Sequence, residues 1–143
     1  MNILFPMTGQ NRFTDDQYMY PKPLIEVGSG TMIESALRTY QEIQATKINV
    51  ALSLNDVKDY NLDEVVKRIV EPASVNITVL ARETAGALCT ALLLAEQLDE
   101  HEELLIANYD QHIGFDVNSV LEYFRAENSG FGVVSFESVH PKW

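Results

Sequence analysis

Five runs of apolar and β-branched residues punctuate this chain, and each is close to continuously apolar. They are Asn2–Pro6, Lys47–Leu52, Asn76–Leu80, Glu103–Asn108 and Phe131–Phe136. A strand with one wet face alternates apolar and polar residues, whereas unbroken apolar runs belong to parallel strands covered on both faces. Helix-period segments lie between the runs. Thr31 with Glu34 three residues on has the spacing of a capping box and opens a helix with Ile33, Ala36, Leu37 and Tyr40 on one face. Leu62–Val70 repeats the pattern and stops before Pro72; Ala87–Leu98 is apolar nearly all round, which predicts central packing; Val117–Ala126 buries Val117, Val120, Leu121 and Phe124. Strand and helix alternating in this way predict βαβ units: an α/β, Rossmann-like, doubly wound and mostly parallel sheet with helices on both faces.

Composition narrows the partners. With 143 residues, 46% of them hydrophobic, the chain can bury one core, and residues 1–143 read as a single α/β domain. A net charge of −11 opposes sequence-independent nucleic-acid binding and attachment to an anionic membrane. Nucleotides remain possible ligands, because a few cations and a metal ion can focus the field locally. Cys89, the single cysteine, falls in an apolar run and reads as core; with no signal peptide or long apolar span, the expected setting is the cytoplasm.

In a doubly wound sheet, ligands bind beyond the carboxyl ends of the strands. Three segments belong there: the loop Met7–Phe13, the turn Arg82–Gly86, and Asn108-Tyr109-Asp110-Gln111. The first loop holds Thr8, Gly9 and Arg12 but lacks the spacing of a dinucleotide fingerprint or a P-loop. It reads either as a phosphate or base cradle with Arg12 as its charge, or as an ordinary turn. Lys22 stands between Pro21 and Pro23, which restrict its backbone on both sides. That makes it a fixed point charge or an exposed lysine on an extended segment. Thr84-Ala85-Gly86 leads into a helix, offering backbone N–H groups and a close approach, or else serving packing alone. Asp110 follows the apolar Leu104-Leu105-Ile106-Ala107 and is a cap or a hard-cation ligand. His101, His112 and His140 have no zinc spacing, and no nucleophilic constellation stands out.

These segments together resemble the N-terminal part of the sugar nucleotidyltransferases, the nucleoside-triphosphate transferases that make nucleotide-sugars. The resemblance runs along essentially the whole chain. Ile3–Met7 with Gly9 and Arg12-Phe13 is similar to the family's opening strand and its G-x-G-x-R loop. Pro21-Lys22-Pro23-Leu24 is similar to its P-K-P-L segment, the most specific match. Thr84-Ala85-Gly86-Ala87 resembles the base-recognition turn, and Ala107–Gln111 the strand end whose Asp holds Mg2+. Phe131–Phe136 and His140-Pro141-Lys142-Trp143 resemble the next strand and its sequel.

The resemblance implies a GT-A-like nucleotidyltransferase fold, shortened so that the sugar-binding half is absent. It also implies transfer of NMP from an NTP to a sugar 1-phosphate, or a similar phosphorylated alcohol, with release of pyrophosphate. Arg12 and Lys22 would be catalytic; Thr8, Gly9, Thr84 and Gly86 would bind nucleotide; Asp110 would hold Mg2+. Gln10-Asn11 stands where the family has its second glycine, and the first loop is one residue shorter than the family's. A non-catalytic module, binding nucleotide or a partner, is therefore the alternative. A glycosyltransferase is weaker, since Asp110-Gln111-His112 is no D-x-D. The shortened sheet would expose apolar surface, which predicts a homo-oligomer.

Overall fold

A computed structural model describes residues 1–9, 19–40, 43, 47–70 and 75–139. Arg12, Pro72 and the segment 140–143 lie outside the described residues. β1 (Asn2–Met7), β4 (Lys47–Ser53), β5 (Val75–Leu80) and β6 (Leu104–Ile106) form one four-stranded sheet in the order β5-β4-β1-β6, and every pairing is parallel. Its register runs Phe5 against Val50 and Leu4 against Ile106. The chain steps outward from β1 to β4 and β5, then returns to place β6 on the other side of β1. That reversal makes β1 and β6 the switch point, where the connections leaving the strands diverge and open a crevice.

The helices divide between the faces as the alternation requires. α1 (Met32–Thr39) carries its full capping box, and α3 (Leu62–Val70) has the bounds read from the sequence. Ile33 and Leu37 of α1 and Leu62 and Val66 of α3 pack with Ile3, Phe5, Val50 and Leu52 in the larger core cluster. The other face is thinner. Leu4 and Ala51 meet Ala91 and Leu94 of α4 (Ala87–Leu94), which with Thr90 are its buried residues. Period-two geometry explains the split, since Ile3 and Phe5 point one way and Leu4 the other.

Several expectations are corrected. α4 is not central: Leu88, Leu92 and Leu93 are exposed, and so is Cys89, which is therefore not core. A helix apolar all round needs cover all round, and α4 meets the sheet on one side only. Phe131–Phe136 forms no strand, and Phe131 is 84% exposed. High β-propensity makes a strand only where a neighbour supplies hydrogen bonds, and no described residue pairs with this segment. In α5 (Val117–Ala126) only Val117 is fully buried, while Val120, Leu121 and Phe124 are half-buried. Two elements are additional: α2 (Leu54–Tyr60), and a small hairpin of β2 (Glu26–Val27) and β3 (Gly30–Thr31). Gly28, with φ of 65°, makes that hairpin's turn.

Candidate functional site

Two groups of polar side chains stand at the carboxyl edge of the sheet. The first is built around Lys22. Residues Lys22–Leu24 form a 3-10 turn in which the Leu24 N–H donates to the Pro21 carbonyl at 2.8 Å. Pro21 and Pro23 are both buried, so the rings on either side of Lys22 anchor the backbone while its side chain stays half-exposed. Upstream, Tyr20 meets Tyr60 of α2 edge to face, with ring centroids 6.3 Å apart. α2 thereby braces the segment that delivers the lysine.

The Lys22 ammonium is ion-paired with the Asp110 carboxylate, 88 residues further along the chain. It also lies 5.8 Å from the centre of the Tyr109 ring, within the range of a cation–π contact. β6 delivers both partners. The Ala107 N–H extends the ladder by donating to the Leu4 carbonyl at 2.9 Å, and the turn carrying Tyr109 and Asp110 follows. Tyr109 packs against the larger core cluster. Burial first, then the charges of Asp110 and Asp56, push its phenol far above the ordinary value, so the ring stays neutral.

The second group is a chain of hydroxyls. Thr8, buried at the end of β1, shares a hydrogen bond with Thr90 of α4 at 2.9 Å, and Thr90 shares another with Thr84 at 2.7 Å. Thr84 donates to the Gly86 carbonyl at 3.0 Å. A buried hydroxyl must be satisfied, and this network satisfies three while locking the turn 84–86 to the end of β1. Gly86 has φ of 154°, which disfavours any other residue, and a side chain there would point into open space. Beside this group lies a cleft of about 330 Å3 lined by Thr8, Ser53, Asn55, Leu80, Ala81, Arg82 and Glu83. It follows the ends of three adjacent parallel strands, β1, β4 and β5.

The structure thus joins Lys22 to Asp110, and Thr8 to Thr84 and Gly86. Gly9 follows Thr8 and is exposed, with open space where a side chain would stand. Arg12 lies outside the described residues. Thr90 and Tyr109 are the participants that sequence reasoning did not single out. Thr90 is hidden in an apolar helix whose only other polar position is Cys89, and that oddity was the available signal.

Mg2+ can be tested against the donor set. Among the described residues no three His, Cys, Asp or Glu side chains converge. Asp110 alone suits an ion that takes one carboxylate from the protein and its remaining ligands from phosphate oxygens and water. It does not suit an all-protein cage. The residues present fit the shared arrangement. Among the described residues, no helix is long and apolar enough to cross a membrane.

No family model and no curated protein matches the chain. Solved structures do. A nucleoside-diphosphate-sugar pyrophosphorylase from Vibrio cholerae is 22% identical, with a TM-score of 0.64 over 83% of this chain and 52% of its own. HddC from Yersinia pseudotuberculosis, complexed with GMP-PN, is 16% identical, with a TM-score of 0.66 over 86% and 53%. A UDP-glucose pyrophosphorylase complexed with UDP-glucose is 18% identical, with a TM-score of 0.63 over 89% and 54%. The chain spans about half the length of these proteins. At this level of identity the likeness is one of backbone architecture: the chain has the α/β fold of the sugar nucleotidyltransferases.

Proposed function

We propose that the chain binds a nucleoside triphosphate with Mg2+ at the carboxyl edge of its sheet and carries out nucleotidyl transfer to a sugar 1-phosphate or a similar phosphorylated alcohol. The observation that carries this reading is the Lys22–Asp110 pair at the β1/β6 switch point. A cation and an anion side by side suit a ligand that brings phosphate and metal together. In a chain of net charge −11, a lysine held between two buried prolines supplies the local positive charge a polyphosphate needs.

In the reaction, a phosphate oxygen of the acceptor attacks the α-phosphorus in a single displacement, and pyrophosphate leaves. Such a step calls for alignment and charge neutralisation rather than a protein nucleophile. Lys22 holds the phosphates, and Arg12 steadies the leaving pyrophosphate. Thr8, Gly9, Thr84 and Gly86 position the nucleotide, with the hydroxyl chain through Thr90 keeping the turn in register. Asp110 is the residue that would hold Mg2+, and the ion, when bound, neutralises phosphate oxygens. A cytoplasmic setting goes with the proposal.

A thermal-shift titration with ATP, CTP, GTP, UTP and dTTP, each with and without Mg2+, tests the reading. A Mg2+-dependent rise in melting temperature, larger for one base than for the others, is expected. No rise with any of them at millimolar concentration would leave a partner-binding module. Self-association belongs to the same proposal. Leu92 of α4 is 64% exposed and Phe136 is 68% exposed, and large exposed apolar surface favours burial against another copy. Sedimentation velocity over a concentration series should show a species larger than the 16.1 kDa monomer. A monomer throughout would remove the oligomer from the proposal.

A further inference from the structure

We propose that Tyr109 is a positioning residue for Lys22: its ring face holds the ammonium at the phosphate site while the ligand draws Asp110 away. The inference rests on the nucleotide reading above. The carboxylate of Asp110 and the ring of Tyr109 both meet Lys22, and the same turn supplies them. They respond differently to a ligand. A triphosphate carrying a cation brings negative charge to Lys22 and positive charge to Asp110, so the ion pair is exchanged for two ligand contacts. The ring has no net charge to exchange. Its quadrupole attracts the ammonium before and after the ligand arrives, and it does not occupy a phosphate's place. Without it, a four-carbon side chain released from Asp110 would lose one of the contacts that restrict its rotamers, and binding would have to supply that ordering.

The support beneath the ring suits the role. Tyr109 packs against the larger core cluster, so it moves with the sheet rather than with solvent. Burial keeps its phenol neutral, so what the ring presents to Lys22 is an uncharged aromatic face beside the Asp110 carboxylate. Buried prolines fix the lysine's backbone, and the ring guides the far end of its side chain. The hydroxyl plays no part in that contact, which separates this role from one in proton transfer.

The first test needs no ligand. Acylation of Lys22 by a trace of N-hydroxysuccinimide acetate is measured by peptide mass spectrometry, with exposed Lys58 as the internal reference. Tyr109→Leu should raise the Lys22 rate about three-fold, the size expected for losing an exposed cation–π contact, while Tyr109→Phe should match the unaltered chain. Asp110→Asn, a change on an exposed turn, should leave Lys22 slower than Lys58. An unchanged rate in Tyr109→Leu would overturn the proposal, as would Tyr109→Phe rising with it. So would Lys22 in Asp110→Asn reaching the rate of Lys58, a result independent of whether the leucine variant folds. The second test is binding of Mg2+ and the preferred triphosphate, which Tyr109→Leu should weaken about three-fold with nucleoside affinity unchanged. Equal losses for the two ligands would overturn it. If the unaltered chain binds no nucleotide yet shows the expected acylation pattern, the nucleotide reading fails while the ring contact stands.

Discussion

Asp110→Ala should abolish the Mg2+-dependent part of triphosphate binding and leave the fold as stable as before. The carboxylate sits on a half-exposed turn, and its ion pair with Lys22 is of the partly solvated kind that adds no more than about 1 kcal/mol to stability. Its contribution to a ligand is larger. One charged contact to a metal-bearing phosphate group is worth about 1.5–3 kcal/mol, or roughly 10- to 150-fold in affinity. The loss should be confined to titrations containing Mg2+. Without the ion, removing Asp110 leaves Lys22 with one competitor fewer, so triphosphate should bind as well as before or better. Calorimetric titrations with and without Mg2+ measure both arms. Equal affinity of variant and unaltered chain in the presence of Mg2+ would take Asp110 out of the site.

Lys22→Ala should act on the other half of the ligand. The ammonium is the cation held at the switch point among the described residues, so its loss should cost triphosphate about 10- to 100-fold. Nucleoside, which presents no phosphate, should bind almost unchanged. The variant also leaves Asp110 without this counter-charge, and repulsion between that carboxylate and the phosphates adds to the loss when Mg2+ is absent. Parallel titrations with nucleoside, diphosphate and triphosphate should show the penalty growing with phosphate number. A penalty of the same size for all three would place Lys22 elsewhere than the phosphates.

Much of the architecture was legible because burial writes itself into the sequence. The near-continuous runs at Asn2–Pro6, Lys47–Leu52, Asn76–Leu80 and Glu103–Asn108 are the four strands of the sheet, and all of them pair in parallel. Leu62–Val70 shows period 3.6 because one side of that helix meets the core and the other meets water. α2 escaped notice for the opposite reason: none of its residues is fully buried, so Asn55, Asp56, Lys58 and Asp59 carry no periodic signal. The hairpin strands are two residues long, too short for any pattern. Phe131–Phe136 misled because its residues favour strands, while a strand also needs a neighbour. At the site, topology alone brings the ends of β1 and β6 together, but Lys22 comes well after β1 and its pairing with Asp110 was not foreseen. The roles of Thr90 and Tyr109 depend on which way a helix and a turn face, and that is settled by packing between distant segments.

The unequal cover of the two sheet faces has a consequence for cooperativity. Opening α4 exposes few buried side chains, whereas opening α1 or α3 disrupts most of the core. Local opening free energy follows the apolar contact that must be broken, so α4 belongs with the weaker cooperative unit. The hydroxyl chain through Thr90 fastens that unit to β1, and it does so beside the cleft. A ligand seated there would act as a rivet between a rigid slab and a looser flap. Its binding energy would go partly into suppressing sub-global unfolding, and the gain in resistance to proteolysis should be concentrated in α4.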